Sequence, residues 1–465
     1  MTGRLVVVSN RVSVLTGRQA ASAGGLAVGV HSALSASGGL WFGWSGEVHA
    51  DADPEPKIQR AGKITYLLTD LTEAEHDGYY AGFSNRTLWP LFHYRIDLAS
   101  FERSWHECWR QVNRRFARQL LPHLRPDDRI WIHDYHLIPM GRELRSLGFD
   151  GRIGFFLHIP FPSPDLYVAL PWYRSIAEDF CTYDVVGFQT EGDLRQFRDF
   201  VRLEMDGTVR EDGRIDVQRR TLVAGAFPIG IDVDEVARMA VTTESRRQAE
   251  RLKATLMGRR LIIGVDRLDY SKGIPERLRA FEQLLREHEE QHNQVVLIQI
   301  SAPSREDVPE YQSLRRNVER LAGHINGRLG AADWTPVRYL NRSYTRRALA
   351  GFFRIARVGL VTPLRDGMNL VAAEYVAAQD PADPGVLVLS RFAGAAGHFE
   401  GAVIVNPYDT HMTAEALNQA ISMPLAERQM RHASLLASAR RPDVIAWRDR
   451  FLAALDGGGE ARAAA

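Results

Sequence analysis

The sequence predicts a mixed α/β protein built from two doubly wound, Rossmann-like halves. Three observations carry this. At 465 residues and 45% hydrophobic content the chain exceeds what one core holds, since single cores stop growing near roughly 250 to 300 residues. Short β-branched runs that end in polar clusters recur along it, and helical stretches separate them without a break in period. The first half offers Leu5 to Ser9, Ile130 to His133, Ile153 to His158 and Val185 to Gln189 as strands. The second offers Leu261 to Val265, Val295 to Ile300, Val358 to Thr362, Val386 to Ser390 and Val403 to Val405. Between them Phe227-Pro228-Ile229-Gly230-Ile231-Asp232 breaks the pattern, and a charged, strand-poor stretch runs from Val233 to Arg260. The expected domains are 1–232 and 233–455, with 456–465 a small, polar, frayed tail.

Composition narrows the function. Fifty-eight Lys and Arg against 57 Asp and Glu give a net charge of +1, so no global field draws the chain to nucleic acid or a membrane surface. An anionic ligand must be held by local clusters. Cys108 and Cys181 lie far apart with no CxxC partner, which excludes a zinc ribbon or a disulfide framework and suits a reducing cytoplasm. The apolar run Leu5 to Val8 is too short for a signal peptide or a membrane span.

In open α/β sheets ligands bind beyond the carboxyl ends of the strands, and here those positions are polar. Asn10 and Arg11 follow the first strand, Asp134, Tyr135 and His136 the second, and His158 with Pro160-Phe161-Pro162 the third. In the second half Val265 precedes Asp266, Arg267, Leu268, Asp269, Tyr270, Ser271 and Lys272; Ile300 precedes Ser301 through Arg305; and Thr362 precedes Arg365, Asp366, Gly367, Met368 and Asn369, opening an apolar helix from Leu370. Arg11 with Arg305, or Arg267 with Lys272, would give two cations per phosphate. Such a pair of sites suits one phosphorylated substrate and one diphosphate leaving group. Ser22-Ala23-Gly24-Gly25 would let backbone N–H groups approach an anion or a sugar, and Glu374, eight residues after Asp366, could accept paired sugar hydroxyls. His133 and His136 lack a third ligand nearby and read as packing rather than a metal pair. Trp41, Trp44 and Trp89 read as apolar wall, and Trp89 could still shape a sugar pocket.

Eight segments carry a resemblance: LVVVSNR at 5–11, SAGGLAVG at 22–29, GGLWFGWSGE at 38–47, FSNRTLWPLFHYR at 83–95, WIHDYHL at 131–137, GFFLHIPFP at 154–162, DRLDYSKG at 266–273 and LVTPLRDGMNLVAAEYVAAQ at 360–379. Through nearly the whole chain they resemble the trehalose-6-phosphate synthases, retaining glycosyltransferases of the GT-B type, in which two Rossmann-like domains face each other across a cleft. The resemblance implies transfer of glucose from a nucleotide-glucose, usually UDP-glucose, to glucose 6-phosphate, giving α,α-trehalose 6-phosphate. It implies that Arg11, Tyr80, Asp134 and Arg305 hold glucose 6-phosphate, both arginines on its phosphate, with Trp89 lining that pocket. On the donor side it implies Gly24 and Gly25, Arg267 and Lys272 on the diphosphate, and Glu374 on the ribose. Asp366 and the backbone of Met368, Asn369, Leu370 and Val371 would hold the transferred glucose, with His158 near the reacting carbon. Arg267, Lys272, His158 and Asp366 form the implied catalytic set. Tyr344 falls where relatives commonly place a Phe whose backbone meets the base, and Ala373 where relatives can carry Lys, so the base stays open among uridine, guanosine and adenosine. No metal and no cofactor is implied; the expected partners are small molecules, with no nucleic acid or membrane, in a cytoplasmic homo-oligomer up to a tetramer. Two neighbouring readings are a relative that joins a cyclitol amine to a sugar-like donor and a non-catalytic sugar-phosphate sensor. A nicotinamide-dependent Rossmann oxidoreductase is the reading from another class, and no GxGxxG follows any predicted strand.

Overall fold

The computed structural model describes residues 3–12, 14, 30–31, 34–35, 38–51, 55–305, 308–441 and 443–457. Its strands, in chain order, are β1 (Leu5–Arg11), β2 (Gly39–His49), β3 (Lys57–Ala61), β4 (Ile64–Thr72), β5 (Arg129–His133), β6 (Arg152–Phe156), β7 (Val185–Phe188), β8 (Thr208–Val209), β9 (Arg214–Val217) and β10 (Arg220–Ala226). These ten form one sheet among the described residues, in the order β3-β4-β2-β1-β5-β6-β7-β10-β9-β8. The inner seven strands, β4 through β10 in that order, pair in parallel, and antiparallel partners close each edge. A second sheet holds β11 (Arg260–Arg267), β12 (Val295–Ala302), β13 (Val337–Leu340), β14 (Val358–Val361), β15 (Val386–Ser390) and β16 (Val403–Val405). Its order is β13-β12-β11-β14-β15-β16, and its pairings are all parallel.

The α/β expectation holds in each sheet, and for a physical reason. Parallel strands sheathed by helices are buried on both faces and read as continuous apolar runs. Val6, Val7 and Val8 of β1 and Ile130, Trp131 and Ile132 of β5 are all 0% exposed.

Strand order also locates the switch points. From β1 the chain steps outward to β2 and then returns to β1's other side with β5; from β11 it steps to β12 and β13 and then returns with β14. Crevices for ligands open where strand order reverses in this way. The residues just past β1 and β5, and just past β11 and β14, therefore occupy the two binding positions of the fold.

The division of the chain differs from the expected one. One unit comprises 1–228 together with 445–465, and the other comprises Ile229–Val444. The final helix, Val444–Leu455, falls by sequence order in the second half, yet it packs on the first sheet. Trp447 and Phe451 lie 4.7 and 4.8 Å, centroid to centroid, from Trp131, and Phe451 lies 5.3 Å from Phe227. A Cβ at Gly154 would come within 2.8 Å of the Phe451 ring, as would one at Gly187. The strand glycines are thus the seat of this helix. Its apolar residues carry no mark in the sequence of which sheet they cover.

Candidate active site

At the first switch point Arg11 ends β1 and is exposed. Its guanidinium carbon stands 5.5 Å from the centroid of the Trp44 ring, a cation–π stack that orients the planar donors. The guanidinium also lies against Gly46, where a Cβ would approach it to 2.5 Å and where φ is +100°. Only glycine suits that position. Trp44 is 5.2 Å from Tyr80, and Tyr80 stacks nearly parallel on His136 at 6.0 Å with a 12° interplanar angle. His76 closes the row, 5.4 Å from Tyr80 and 5.9 Å from Trp44.

Tyr80 reaches this row from a 13-residue π-helix, His76–Leu88. Such segments are rare and concentrate at functional sites. Its neighbour Tyr79 is fully buried and donates its hydroxyl to Asn10 Oδ1 at 2.6 Å, pinning the π-helix to the end of β1. Trp89, at the start of the helix Trp89–Phe92, is only 4% exposed. Its ring lies 4.0 Å from His93 and 5.7 Å from Tyr135.

Asp134 follows β5 with φ 75° and ψ 163°, a conformation few non-glycine residues adopt. Two contacts over-determine it: its N–H donates to Phe156 O at 2.8 Å, and its carboxylate accepts from the N–H of His158 at 3.3 Å. His158 is half-buried, with Nε2 3.0 Å from His133 Nδ1 and Nδ1 3.2 Å from the side-chain nitrogen of Gln189. An amide nitrogen can only donate, so His158 Nδ1 accepts and Nε2–H donates to His133. Burial lowers the His158 pKa to about 3. Burial, with the nearby His158 adding to it, holds His133 well below the ordinary imidazole range. Both rings are neutral near pH 7 and bonded to each other.

A stability consequence follows. An unfolded imidazole titrates near about 6.5, so between that pH and about 3 the unfolded chain takes up a proton that native His158 refuses. Stability is fully present above the unfolded value and falls as pH drops through this window, by up to about 1.4 kcal/mol per pH unit for one such group. Thermal melts of the parent and of His158→Gln at pH 7 and pH 5 check this. The parent should lose more stability on acidification; equal losses would contradict it.

At the second switch point Arg267 ends β11 and is exposed. Lys272 follows on the turn Tyr270–Lys272, and Gly273 then takes φ +64°, where a Cβ would strike Thr362 O at 2.5 Å. The Lys272 ammonium is ion-paired with Asp366, whose same carboxylate oxygen accepts from Asn369 Nδ2 at 3.0 Å. Asn369 caps the helix Leu370–Ala378 in the left-handed conformation. Backbone bonds from Asp366 N–H to Phe392 O at 3.1 Å and from Ala395 N–H to Met368 O at 2.9 Å hold the approach to that helix. Arg267, Lys272, Asp366, Met368, Asn369, Leu370 and Val371 thus gather at one sheet edge.

Glu374 lies one turn further on, half-buried beside Val236, Met239, Arg346, Leu349 and Phe353. Burial pushes its carboxyl above the ordinary range, against the pull of Arg346. Tyr344 sits just before the helix Arg346–Ile355, its ring 5.4 Å from Phe352 and capped by Arg342 at 4.8 Å. Arg305, with φ 51°, has its guanidinium 3.0 Å from the fully buried Asp269, which also accepts from Tyr311 at 2.8 Å. Gly24 and Gly25 lie outside the described residues.

At the first edge the sequence leaves His76 unmarked and marks Trp44 and His136 only as packing. Trp44 reads from the sequence as filler yet carries Arg11; His76 and His136 complete the ring row. His136 had no periodic signal, because it follows Asp134 on a 3-10 turn, Tyr135–Leu137.

The two edges can do distinct chemistry. Arg11 over a row of ring faces offers a cation for a phosphate beside apolar surface for a sugar. Arg267 and Lys272 beside a helix start offer charge for a diphosphate, with Asp366 and Glu374 as hydroxyl acceptors. Among the described residues, Glu287, His288 and Glu415 bring possible metal ligands within 4.8 Å of one another, but they include an ion pair, His288 Nε2 to Glu415 at 2.8 Å, and lie apart from either set.

The family model described as glycosyltransferase family 20 matches residues 3–457. A trehalose-6-phosphate synthase from Klebsiella pneumoniae is 50% identical over 449 residues, 97% of this chain and 94% of the relative. The crystal structure of a UDP-forming α,α-trehalose-phosphate synthase from Burkholderia xenovorans in complex with glucose-6-phosphate superimposes with a TM-score of 0.94 at 51% identity, covering 98% of this chain and 100% of that one. An Escherichia coli structure bound with UDP-2-fluoro glucose gives 0.93 at 48% identity, covering 97% and 99%. Matched over almost its whole length by the family model and by relatives at about half identity, the chain belongs to glycosyltransferase family 20.

Proposed function

We propose that this glycosyltransferase moves glucose from UDP-glucose to glucose 6-phosphate with retained anomeric configuration, releasing UDP and α,α-trehalose 6-phosphate. The observation that carries the reading is the family match together with two cation-bearing switch points, one of them backed by an aromatic row. Relatives of about half identity have been seen with glucose-6-phosphate in one case and a UDP-glucose analogue in another. We assign Arg11, Tyr80 and Asp134 to glucose 6-phosphate, Trp89 to the wall behind them, and Arg305 to the same phosphate by resemblance. Arg267 and Lys272 are assigned to the diphosphate, Glu374 to the ribose, Tyr344 through its backbone to the base, and Asp366 with Met368 to Val371 to the transferred glucose.

Retention through two displacements would need a carboxylate beneath the anomeric carbon, and the motif residues supply none in that role. We therefore read the step as same-face transfer. The bond from C1 to the leaving phosphate oxygen breaks with its electron pair on the phosphate, the acceptor oxygen bonds to C1, and its proton passes to the leaving phosphate. His158, neutral and bonded on both ring nitrogens, acts as part of the wall rather than as the acid. The cations stabilise charge that grows on the diphosphate, which asks for no metal. Both substrates are phosphate esters of the cell interior, so the cytoplasm is the proposed location; assembly into a homo-oligomer remains the expectation that light scattering would check.

The test is nucleotide release from UDP-, GDP- and ADP-glucose, each with glucose 6-phosphate, with and without EDTA, and NMR identification of the product. An α,α-1,1-linked phosphorylated disaccharide, formed best from UDP-glucose and formed equally in EDTA, is expected. No transfer from any donor would overturn the reading.

A further inference from the structure

A buried charge stands behind the turn that carries Arg267 and Lys272. Arg277 lies on the first turn of the helix Ile274–Glu287, and its side chain is 0% exposed. That helix buries Ile274, Leu278, Phe281 and Leu285, so Arg277 occupies the apolar stripe, where an aliphatic side chain is the ordinary choice. Its guanidinium is ion-paired with Asp266, itself only 2% exposed, and donates to Gln299 Oε1 at 2.8 Å, Thr362 Oγ1 at 3.0 Å and the carbonyl of Lys272 at 3.4 Å. Asp266 is the next residue to Arg267 on β11, Gln299 lies on β12, and Thr362 directly follows β14. One side chain thus ties β11, β12 and the residue that follows β14 to the turn. The backbone adds a second tie, Leu364 N–H to Ser271 O at 2.7 Å.

Stability does not account for this arrangement. Desolvating two charges offsets most of what their attraction returns, and apolar replacements of like volume often hold a fold as well or better. What the arrangement supplies is position, which a tightly packed apolar cluster of adaptable rotamers would define less sharply.

We propose that Arg277 is a positioning residue of the donor site: through Asp266 and the Lys272 carbonyl it fixes where Arg267 and Lys272 present their charge to the diphosphate. The inference rests on the reading that these two cations face that leaving group. Removing Arg277 alone would strand a buried carboxylate, so the main test is the double variant Asp266→Asn with Arg277→Met, which removes both charges. It should fold with a melting midpoint close to the parent's, lose roughly tenfold to a hundredfold in kcat with UDP-glucose, and keep its KM for glucose 6-phosphate nearly unchanged. Parent-like donor kinetics in the folded double variant would overturn the proposal. Should that variant fail to fold, Arg277→Lys decides: the charge stays but the planar fork is lost, so a several-fold lower kcat at an unchanged melting midpoint is expected, and an unchanged kcat overturns the proposal. Arg267→Ala, run alongside, separates the two readings. If it too leaves kcat intact, the diphosphate assignment has failed; if it is crippled while the Arg277 variants are not, only the positioning role has failed.

Discussion

Arg267→Ala is expected to lower kcat by on the order of a hundredfold, with a smaller rise in the KM for UDP-glucose. The diphosphate of bound UDP-glucose already carries charge, but that on the bridging oxygen grows only as the bond to C1 breaks, so a fixed cation there favours the transition state over the ground state. Removal of one preorganised donor from such a position costs roughly a hundredfold to a thousandfold in other enzymes. Arg267 is the cation to probe, since it ends β11 exposed at the sheet edge. Lys272 is ion-paired with Asp366, so Lys272→Ala would leave a carboxylate assigned to the transferred sugar without its ion-pair partner and mix two effects. Steady-state kinetics with varied donor at saturating glucose 6-phosphate read the result. A change confined to KM would mean uniform binding and would count against transition-state stabilisation.

The parts legible in the sequence share a cause. β1, β5, β6, β7, β11, β12, β14, β15 and β16 are the strands the apolar runs announced, and most of their residues are buried. What escaped follows other rules. β2 opens on glycine and carries Trp41 and Trp44 in place of aliphatic residues, while β3 is almost wholly exposed and β13 mostly half-exposed. β3 and β13 are edge strands, which lack the double-sided burial that writes an apolar run. The π-helix at His76–Leu88 has no periodic signature, since its residues follow neither the 3.6 nor the 2.0 repeat. The polar residues after each strand were legible because strand order need not be known to see a charged cluster follow an apolar run. Which clusters share an edge did need it: Arg11 and Asp134 are 123 residues apart in sequence, yet β1 and β5 lie side by side, with Ser9 level with His133. Arg277 leaves one trace, a charge on an apolar helical stripe, and its partners on β11, on β12 and just past β14 can be found only in the fold.

Acceptor selection should show an effect of similar size. If each charge-assisted bond to the acceptor's phosphate is worth roughly 1.5 to 3 kcal/mol, the two assigned arginines together favour glucose 6-phosphate over glucose by about 3 to 6 kcal/mol. Free glucose is then expected to be about 100-fold to 10,000-fold poorer as an acceptor in kcat/KM. Arg11 lets this be apportioned. Its guanidinium is stacked on Trp44 and pressed against Gly46, so little rotamer freedom remains to be lost when a phosphate arrives. Arg11→Ala should therefore lower kcat/KM for glucose 6-phosphate by roughly tenfold to a hundredfold and leave the rate with glucose nearly unaltered, narrowing the ratio between the two sugars. Arg11→Lys should recover only part of the loss, because an ammonium keeps the charge but cannot stack flat on the indole or offer a planar fork to the phosphate. The measurement is kcat/KM for both sugars in the parent and the two variants. A parent that uses glucose and glucose 6-phosphate equally well, or an Arg11→Ala change that slows both sugars alike, would remove Arg11 from the phosphate and place it among the residues that merely hold the edge of β1.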